Sequence, residues 1–417
     1  MTHYQRHLSS QIIEGLSSAP AIFVGGPRQA GKSTLVEEIV KSNYPAEYYT
    51  LDNVATYGSI ARDPEGFLEQ FDQPIVIDEV QLLPQLYRAL KKRIDELRLD
   101  RKAKIHGRFI LTGSASISVF PELADALVGR IFLYTLYPLS VGEVIGREEK
   151  FLETVFSSTK HLPKIKPQPL SLVNLIKKAT YPELANTKES LRARWIDSYL
   201  NTLAQRDVKA ITEVEKIAQI PLVIEMLASR VSGLLNDASL SRELGLNHST
   251  LRRYRVLLNQ IFLTLEIEPW FRNIGKRLVK APKLFFTDTS VLCHLLNADP
   301  KELGTLTPNL KGKIIENFVA SELTKQISKD NFGKLYHFRS HEGDEVDFVI
   351  EQRGGKIVGV EVKAKTSVTH DDFKGLETLE KAAGANFVRG IVLYQGDQIT
   401  PFGSKFHLLP LSTLWSY

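Results

Sequence analysis

The sequence predicts an α/β protein in three parts. An N-terminal domain is built on a parallel sheet, a mainly helical middle carries a winged-helix pattern, and a second α/β domain closes the chain. Three observations predict it. Short apolar runs alternate with amphipathic helical stretches through the first third of the 417 residues. Helical periodicity dominates the middle. Near the C-terminus two strand-like runs, VDFVI and KIVGVEV, flank the polar turn EQRGG. The parts fall at 1–145, a connecting segment at 146–180, then 181–305 and 306–417.

The composition supplies a core for each part, with 43% hydrophobic and 24% charged residues. The net charge of +5 is compatible with an anionic partner such as DNA and equally with an ordinary mixed surface. A single cysteine, Cys293, excludes an internal disulfide and a cysteine-cluster metal site. MTHYQRHLSS has no apolar leader, and no run of about 18 apolar residues occurs. The expectation is a soluble, cytoplasmic protein without a membrane partner.

The first element is AIFVGGPRQAGKSTLVEEIV, Ala21 to Val40. An apolar run leads into Gly26, Pro27, Arg28, Gln29, Ala30, Gly31, Lys32 and Ser33, which fit G-x-x-x-x-G-K-[ST], and Thr34 follows as a further candidate nucleotide contact. Leu35, Val36, Ile39 and Val40 then gather on one helical face. Glycines let a backbone wrap a phosphate, and the following helix presents its first N–H groups to it. Lys32 is expected to reach the β- and γ-phosphates and Ser33 to bind Mg²⁺. Arg28 either touches phosphate or points to solvent.

PIVIDEVQ, Pro74 to Gln81, is an apolar strand ending in two carboxylates. In a phosphate-loop enzyme this strand is expected directly beside the first. Asp78 would then lie near the Mg²⁺, and Glu79 would orient or deprotonate the attacking water. RFILTGSAS is a further strand. The hydroxyls of Thr112 and Ser114 at its end either sense the terminal phosphate or cap a turn. EYYTLD adds a strand and QLYRALKKRIDELRLDRK a helix. Such alternation means a parallel sheet covered on both faces, with ligands at the carboxyl ends of its strands.

With GPRQAGKSTL, IDEVQ, LTGSAS and LVGRIFLYTLYPLS, the chain resembles the AAA/RecA-like ATPases, and more closely a prokaryotic AAA-family group. The resemblance implies ATP as the nucleotide. It also implies an electrostatic part for Arg130, as a finger acting on a neighbouring subunit of a homo-oligomer or as a structural residue.

In the middle, TKHLPKIKPQPLS reads as a linker or exposed loop. SLSRELGLNHSTLRRYRVLLNQIFL, Ser239 to Leu263, has a helix–glycine–helix pattern, and IFLTLEIEPW is a candidate wing. Arg252, Arg253 and Arg255 lie on the second helix. They either contact DNA, as in a major-groove reader, or form a solvated face. KLFFTD reads as a strand with no role beyond packing.

In the C-terminal hairpin, side-chain alternation puts Val358, Val360 and Val362 in the core and Glu361 and Lys363 on the opposite face. Asp347 faces away from Val346, Phe348 and Ile350, so the turn brings it beside Glu361. Two carboxylates can hold Mg²⁺, and a lysine can stabilise a phosphorane. The arrangement resembles the PD-(D/E)XK nuclease superfamily, a restriction-endonuclease-like fold. That resemblance adds Glu316, on a preceding helix whose buried stripe is Ile315, Phe318, Val319 and Leu323. The other reading of Glu361 and Lys363 is a salt bridge.

Two functions follow as expectations. One is an ATPase that couples nucleotide state to a nuclease-like domain acting on DNA. The other is an ATP-dependent switch whose C-terminal domain binds nucleic acid or protein without cleavage.

Overall fold

In the computed structural model the phosphate-loop run becomes β1 (Ala21–Gly25), a loop, and α2 (Lys32–Ser42), preceded by α1 (Leu8–Leu16). The structure describes residues 3–42, 44–100, 104–159, 162–164, 170–208, 217–272 and 281–417. After α2 come β2 (Glu47–Thr50), α3 (Val54–Arg62), α4 (Pro64–Glu69), β3 (Ile75–Asp78), α5 (Gln85–Leu99), β4 (Phe109–Gly113), α6 (Pro121–Leu127) and β5 (Ile131–Thr135). The five strands pair in parallel in the order β2-β3-β4-β1-β5.

One sheet face packs on α4, α5 and α6 through Leu68, Leu86, Leu90, Ile94 and Leu123, and the other on α1 and α2 through Ile12, Leu35, Val36 and Ile39. Because both faces are covered, β1, β3 and β4 are buried throughout, which explains their unbroken apolar runs. The expected adjacency of β1 and the strand of Asp78 is not found, since β4 lies between them. Parallel strands are joined by crossover helices, so order along the chain does not set order in the sheet. The consequence is chemical: the end of β4, with Thr112, is wedged between the loop strand and the acidic strand.

The middle begins with α7 (Val141–Ile145), α8 (Phe151–Phe156), α9 (Leu172–Lys178), α10 (Pro182–Asn186), α11 (Arg192–Thr202) and α12 (Ile220–Ser229). Residues 160–161 and 165–169 of the stretch read as a linker lie outside the described residues. Next, α13 (Asp237–Leu244) and α14 (His248–Gln260) meet at Gly245, and β6 (Thr264–Ile267) pairs antiparallel with β7 (Lys283–Phe286). KLFFTD is thus the second strand of this ribbon. It leads into α15 (Thr289–Leu295).

The C-terminal domain opens with the 23-residue helix α16 (Pro308–Asp330). There follow β8 (Gly333–Arg339), β9 (Glu345–Gln352), β10 (Ile357–Lys363), α17 (Lys374–Ala383), β11 (Phe387–Tyr394), β12 (Thr400–Phe402), β13 (Phe406–Pro410) and α18 (Thr413–Ser416). The mixed sheet runs β12-β13-β11-β10-β9-β8. Phe318, Val319 and Leu323 of α16 share a core with Phe348, Ile350, Val358 and Val360, and Leu376 and Leu379 of α17 cover Val346 and Ile357 on the other face. Val362, expected in the core with Val358 and Val360, is half-buried at the strand's end.

α16 touches all three parts. Its buried Asn317 accepts from the Phe286 amide at 2.7 Å, and Ser321 donates to the Thr287 carbonyl at 2.7 Å. One turn on, Glu322 accepts from the Val141 amide at 2.9 Å and Lys325 donates to the Leu139 carbonyl at 2.9 Å. Among the described residues no helix is long and apolar enough to cross a membrane.

Candidate functional site

The loop between β1 and α2 is shaped by backbone that only certain residues tolerate. At Gly26 (φ +154°) an added Cβ would lie 2.2 Å from the Leu136 carbonyl oxygen, and Gly31 has φ +92°. Both need a residue without a side chain. Lys32, the first residue of α2, folds over the loop and donates to the carbonyls of Gly26 (3.0 Å) and Pro27 (3.1 Å). Beneath it Ser33 donates to Asp78 at 3.1 Å. Thr112 donates to Asp78 and accepts from the Glu79 amide at 3.1 Å. The wedge of β4 therefore ties the Asp78 carboxylate and the Glu79 backbone to Thr112.

Glu79 sits at φ +56°, a left-handed conformation that costs a non-glycine residue about 1–2 kcal/mol. That turn aims its carboxylate back toward the loop, where Gln81 donates to it. The same Gln81 amide reaches Ser114 at 3.2 Å. A cleft of roughly 560 Å³ opens here, lined by Gly31, Lys32, Ser33, Thr34 and Glu79 together with Tyr4, Arg6, Pro182 and Asn186. This size lies in the ordinary range for a small-molecule site.

Sequence reasoning missed Arg6, Tyr4 and the α10 residues. Arg6 is buried, donates to the Ala30 carbonyl at 2.7 Å and the Tyr137 carbonyl at 2.7 Å, and pairs with Glu143 at 3.0 Å. It braces the phosphate loop from outside any motif, so nothing local marked it. Arg28 is half-buried and Gln29 exposed. The guanidinium of Arg130 is engaged within its own chain by a two-pronged pair with Asp95 of α5, both contacts at 2.9 Å.

On α14, Arg252 and Arg253 are exposed, but Arg255 is not. Its position falls with Leu251, Tyr254 and Leu258 on the inner face. It pairs with Asp237 of α13 at 3.2 Å and Glu266 of β6 at 2.5 Å. Burial holds the Glu266 carboxyl above its usual range against the pull of Arg255. The expected DNA contact by Arg255 is therefore corrected: this residue clamps the two helices to the ribbon.

At the C-terminal hairpin, the structure brings Glu316, Asp347, Glu361 and Lys363 together. Asp347 accepts from the Val362 amide at 2.9 Å, Glu361 accepts from the Asp347 amide at 3.3 Å, and Lys363 pairs with Glu361 at 2.8 Å. A residue assigned only a packing role joins them. The Lys283 ammonium lies 3.0 Å from Glu316 and 3.1 Å from Asp347. Burial and the Asp347 charge raise the pKa of both Glu316 and Glu361. Burial works against the Lys283 charge, but Asp347 and Glu316 outweigh it and raise its pKa. Among the described residues no group of three or more His, Cys, Asp or Glu side chains is arranged to hold a metal ion. The Asp347 and Glu361 carboxylates expected to hold Mg²⁺ are each matched here by a lysine or an amide. The nucleotide site fits its Mg²⁺ better, since the Ser33 hydroxyl and the Asp78 carboxylate are hard oxygen donors side by side.

Comparison with known proteins agrees with the first of these sites. Residues 18–145 match the AAA domain family, 171–302 match a domain of unknown function, DUF8612, and 311–414 match another, DUF4143. The N-terminal domain is thus an AAA-type P-loop ATPase domain. An uncharacterized protein of Mycobacterium tuberculosis is 28% identical over 418 residues, covering 98% of this chain and 87% of that protein. One of Haemophilus influenzae is 23% identical, covering 81% of each. Among solved structures, the Walker-type ATPase of Pyrococcus abyssi is 13% identical with a TM-score of 0.42, over 70% of this chain and 96% of that one. AMPPCP-bound DnaA of Aquifex aeolicus is 15% identical with a TM-score of 0.30, over 61% and 86%.

Proposed function

We propose that this chain is a Mg²⁺-dependent ATPase that works as a switch, its nucleotide state altering how the middle and C-terminal parts are held. The observation that carries the proposal is the hydrogen-bonded run Ser33–Asp78–Thr112–Glu79 under the phosphate loop. Loop amides and the N-terminus of α2 hold the phosphates. Lys32 exchanges its carbonyl partners for phosphate oxygens, which are stronger acceptors for an ammonium. Ser33 and Asp78 would hold Mg²⁺, which would neutralise phosphate charge. Glu79, once released by Gln81, orients the attacking water and accepts its proton.

Two connections lead outward from this site. The Ser116 amide, just past β4, donates to the Gln260 carbonyl at the end of α14 at 2.8 Å. Leu139 and Val141, just past β5, are held by Lys325 and Glu322 of α16. Movement of either strand end is thereby felt in the helix pair and in the C-terminal domain. The exposed Arg252 and Arg253 support DNA as a partner of that helix pair.

The test is phosphate release from ATP and Mg²⁺. Glu79→Gln should lower turnover by about 100-fold or more while ATP still binds. Equal turnover of Glu79→Gln and the parent would refute the assignment. The reading in which the C-terminal domain cuts DNA is disfavoured by the lysine at its acidic site. Mg²⁺-dependent cutting abolished by Asp347→Ala would reinstate it.

A further inference from the structure

We infer that Lys283 is the resident cation of the C-terminal acidic site: it closes that site to divalent metal and locks the β6–β7 ribbon onto the domain. This goes beyond the ATPase reading and does not depend on hydrolysis.

Three largely buried carboxylates from three elements converge here, and carboxylates withdrawn from water demand a counter-charge. A divalent ion bound by oxygens is one way to provide it. This chain supplies another from outside the domain. Lys283 starts β7, in the segment matching one family, while Glu316, Asp347 and Glu361 lie in the segment matching another. Its side chain is 7% exposed, and its ammonium bridges Glu316 and Asp347 at 3.0 and 3.1 Å. Lys363 takes the Glu361 carboxylate at 2.8 Å.

The delivery is built in rather than incidental. Lys283 pairs with Ile267 in the ribbon, and the chain just beyond β6 is stitched to β8. The His337 amide donates to the Glu268 carbonyl at 3.0 Å, and the Trp270 amide donates to the His337 carbonyl at 2.6 Å. His337 Nε2 lies 3.4 Å from the Ala281 carbonyl, two residues before the lysine. Backbone bonds thus hold the ribbon where the first residue of β7 enters the acidic site. An ammonium placed between two carboxylates leaves no room for a metal to share the same oxygens.

The experiment uses the full-length protein without nucleotide and Mn²⁺ as the probe. The parent and Asp347→Asn should take up the same amount of Mn²⁺ by calorimetric titration. One site fewer in Asp347→Asn overturns the inference, and this arm needs no lysine variant to fold. Lys283→Met should melt roughly 10 °C lower, because the carboxylates lose their partner. Mn²⁺ should raise its melting temperature by more than it raises the parent's. That rescue should vanish in Lys283→Met combined with Asp347→Asn. An unshifted melting temperature for Lys283→Met, or its failure to take up Mn²⁺, also overturns the inference.

Discussion

Lys32 and Lys283 are both buried, and what they hold differs. Lys32 is hydrogen-bonded to two carbonyl oxygens of its own loop, partners that a phosphate outcompetes. Lys283 bridges two carboxylates, which already carry full negative charge. The first arrangement suits a site that exchanges its ligand, and the second suits one that keeps its partner. Site residues of a familiar kind are therefore not enough to assign chemistry. The counter-charge already in place decides whether a ligand has anything to gain by entering.

The largest effect should come from breaking this contrast directly. Lys32→Ala should cut phosphate release by about 100-fold or more, whereas Lys283→Met should keep turnover within about threefold of the parent. If both silence hydrolysis equally in a coupled phosphate assay, the two sites are not distinct.

The arginines of α14 sharpen the same point. Arg255→Met leaves Asp237 and Glu266 buried without their cation and should destabilise the protein by about 3 kcal/mol in urea unfolding. Arg252→Ala and Arg253→Ala should stay within about 0.5 kcal/mol. A weakening of DNA binding confined to the latter two would make the outer face the contact surface.

Smaller effects are expected where one hydrogen bond restrains a catalytic group. Gln81→Ala frees the Glu79 carboxylate, and basal turnover should rise about threefold to tenfold, the equivalent of one such bond. A fall instead would make Gln81 a residue that positions Glu79 productively.

The smallest effect is a pH dependence at His7, whose Nδ1 pairs with buried Glu149 at 2.9 Å. Burial opposes the imidazolium, but the Glu149 hydrogen bond and charge outweigh it and raise the His7 pKa. A raised folded-state pKa gives stability that is complete below the unfolded value near 6.5 and is lost as pH rises through the folded value. Melting temperature should therefore decline from about pH 6 to pH 8, and His7→Gln should flatten that slope. An unchanged slope in His7→Gln would remove His7 as its source.

The phosphate loop was legible because its parts are local: glycines, lysine and hydroxyl fall within nine residues between a strand and a helix. The acidic hairpin was legible from alternation along two neighbouring strands. The insertion of β4 was not, since sheet order is set by how crossovers pack. Lys283 was hidden because its carboxylate partners lie 33 and 64 residues away. Arg255 read as a surface residue because composition cannot distinguish an arginine facing water from one facing Asp237 and Glu266. For Lys283 and Arg255 the charge was visible in the sequence, and the fold supplied its partner.

The helix α16 carries Glu316 just before its midpoint and Glu322 and Lys325 further along, so the acidic cluster and the strand end beyond β5 are fastened to a single rod. Those anchors are separated by roughly 9 to 14 Å of helix at 1.5 Å per residue, a span too stiff to absorb a shift between them. Thermodynamic linkage then runs in both directions. If ATP alters the grip of the C-terminal domain on a partner, that partner alters affinity for ATP by the same factor, so it could be found by the change it makes in nucleotide binding alone.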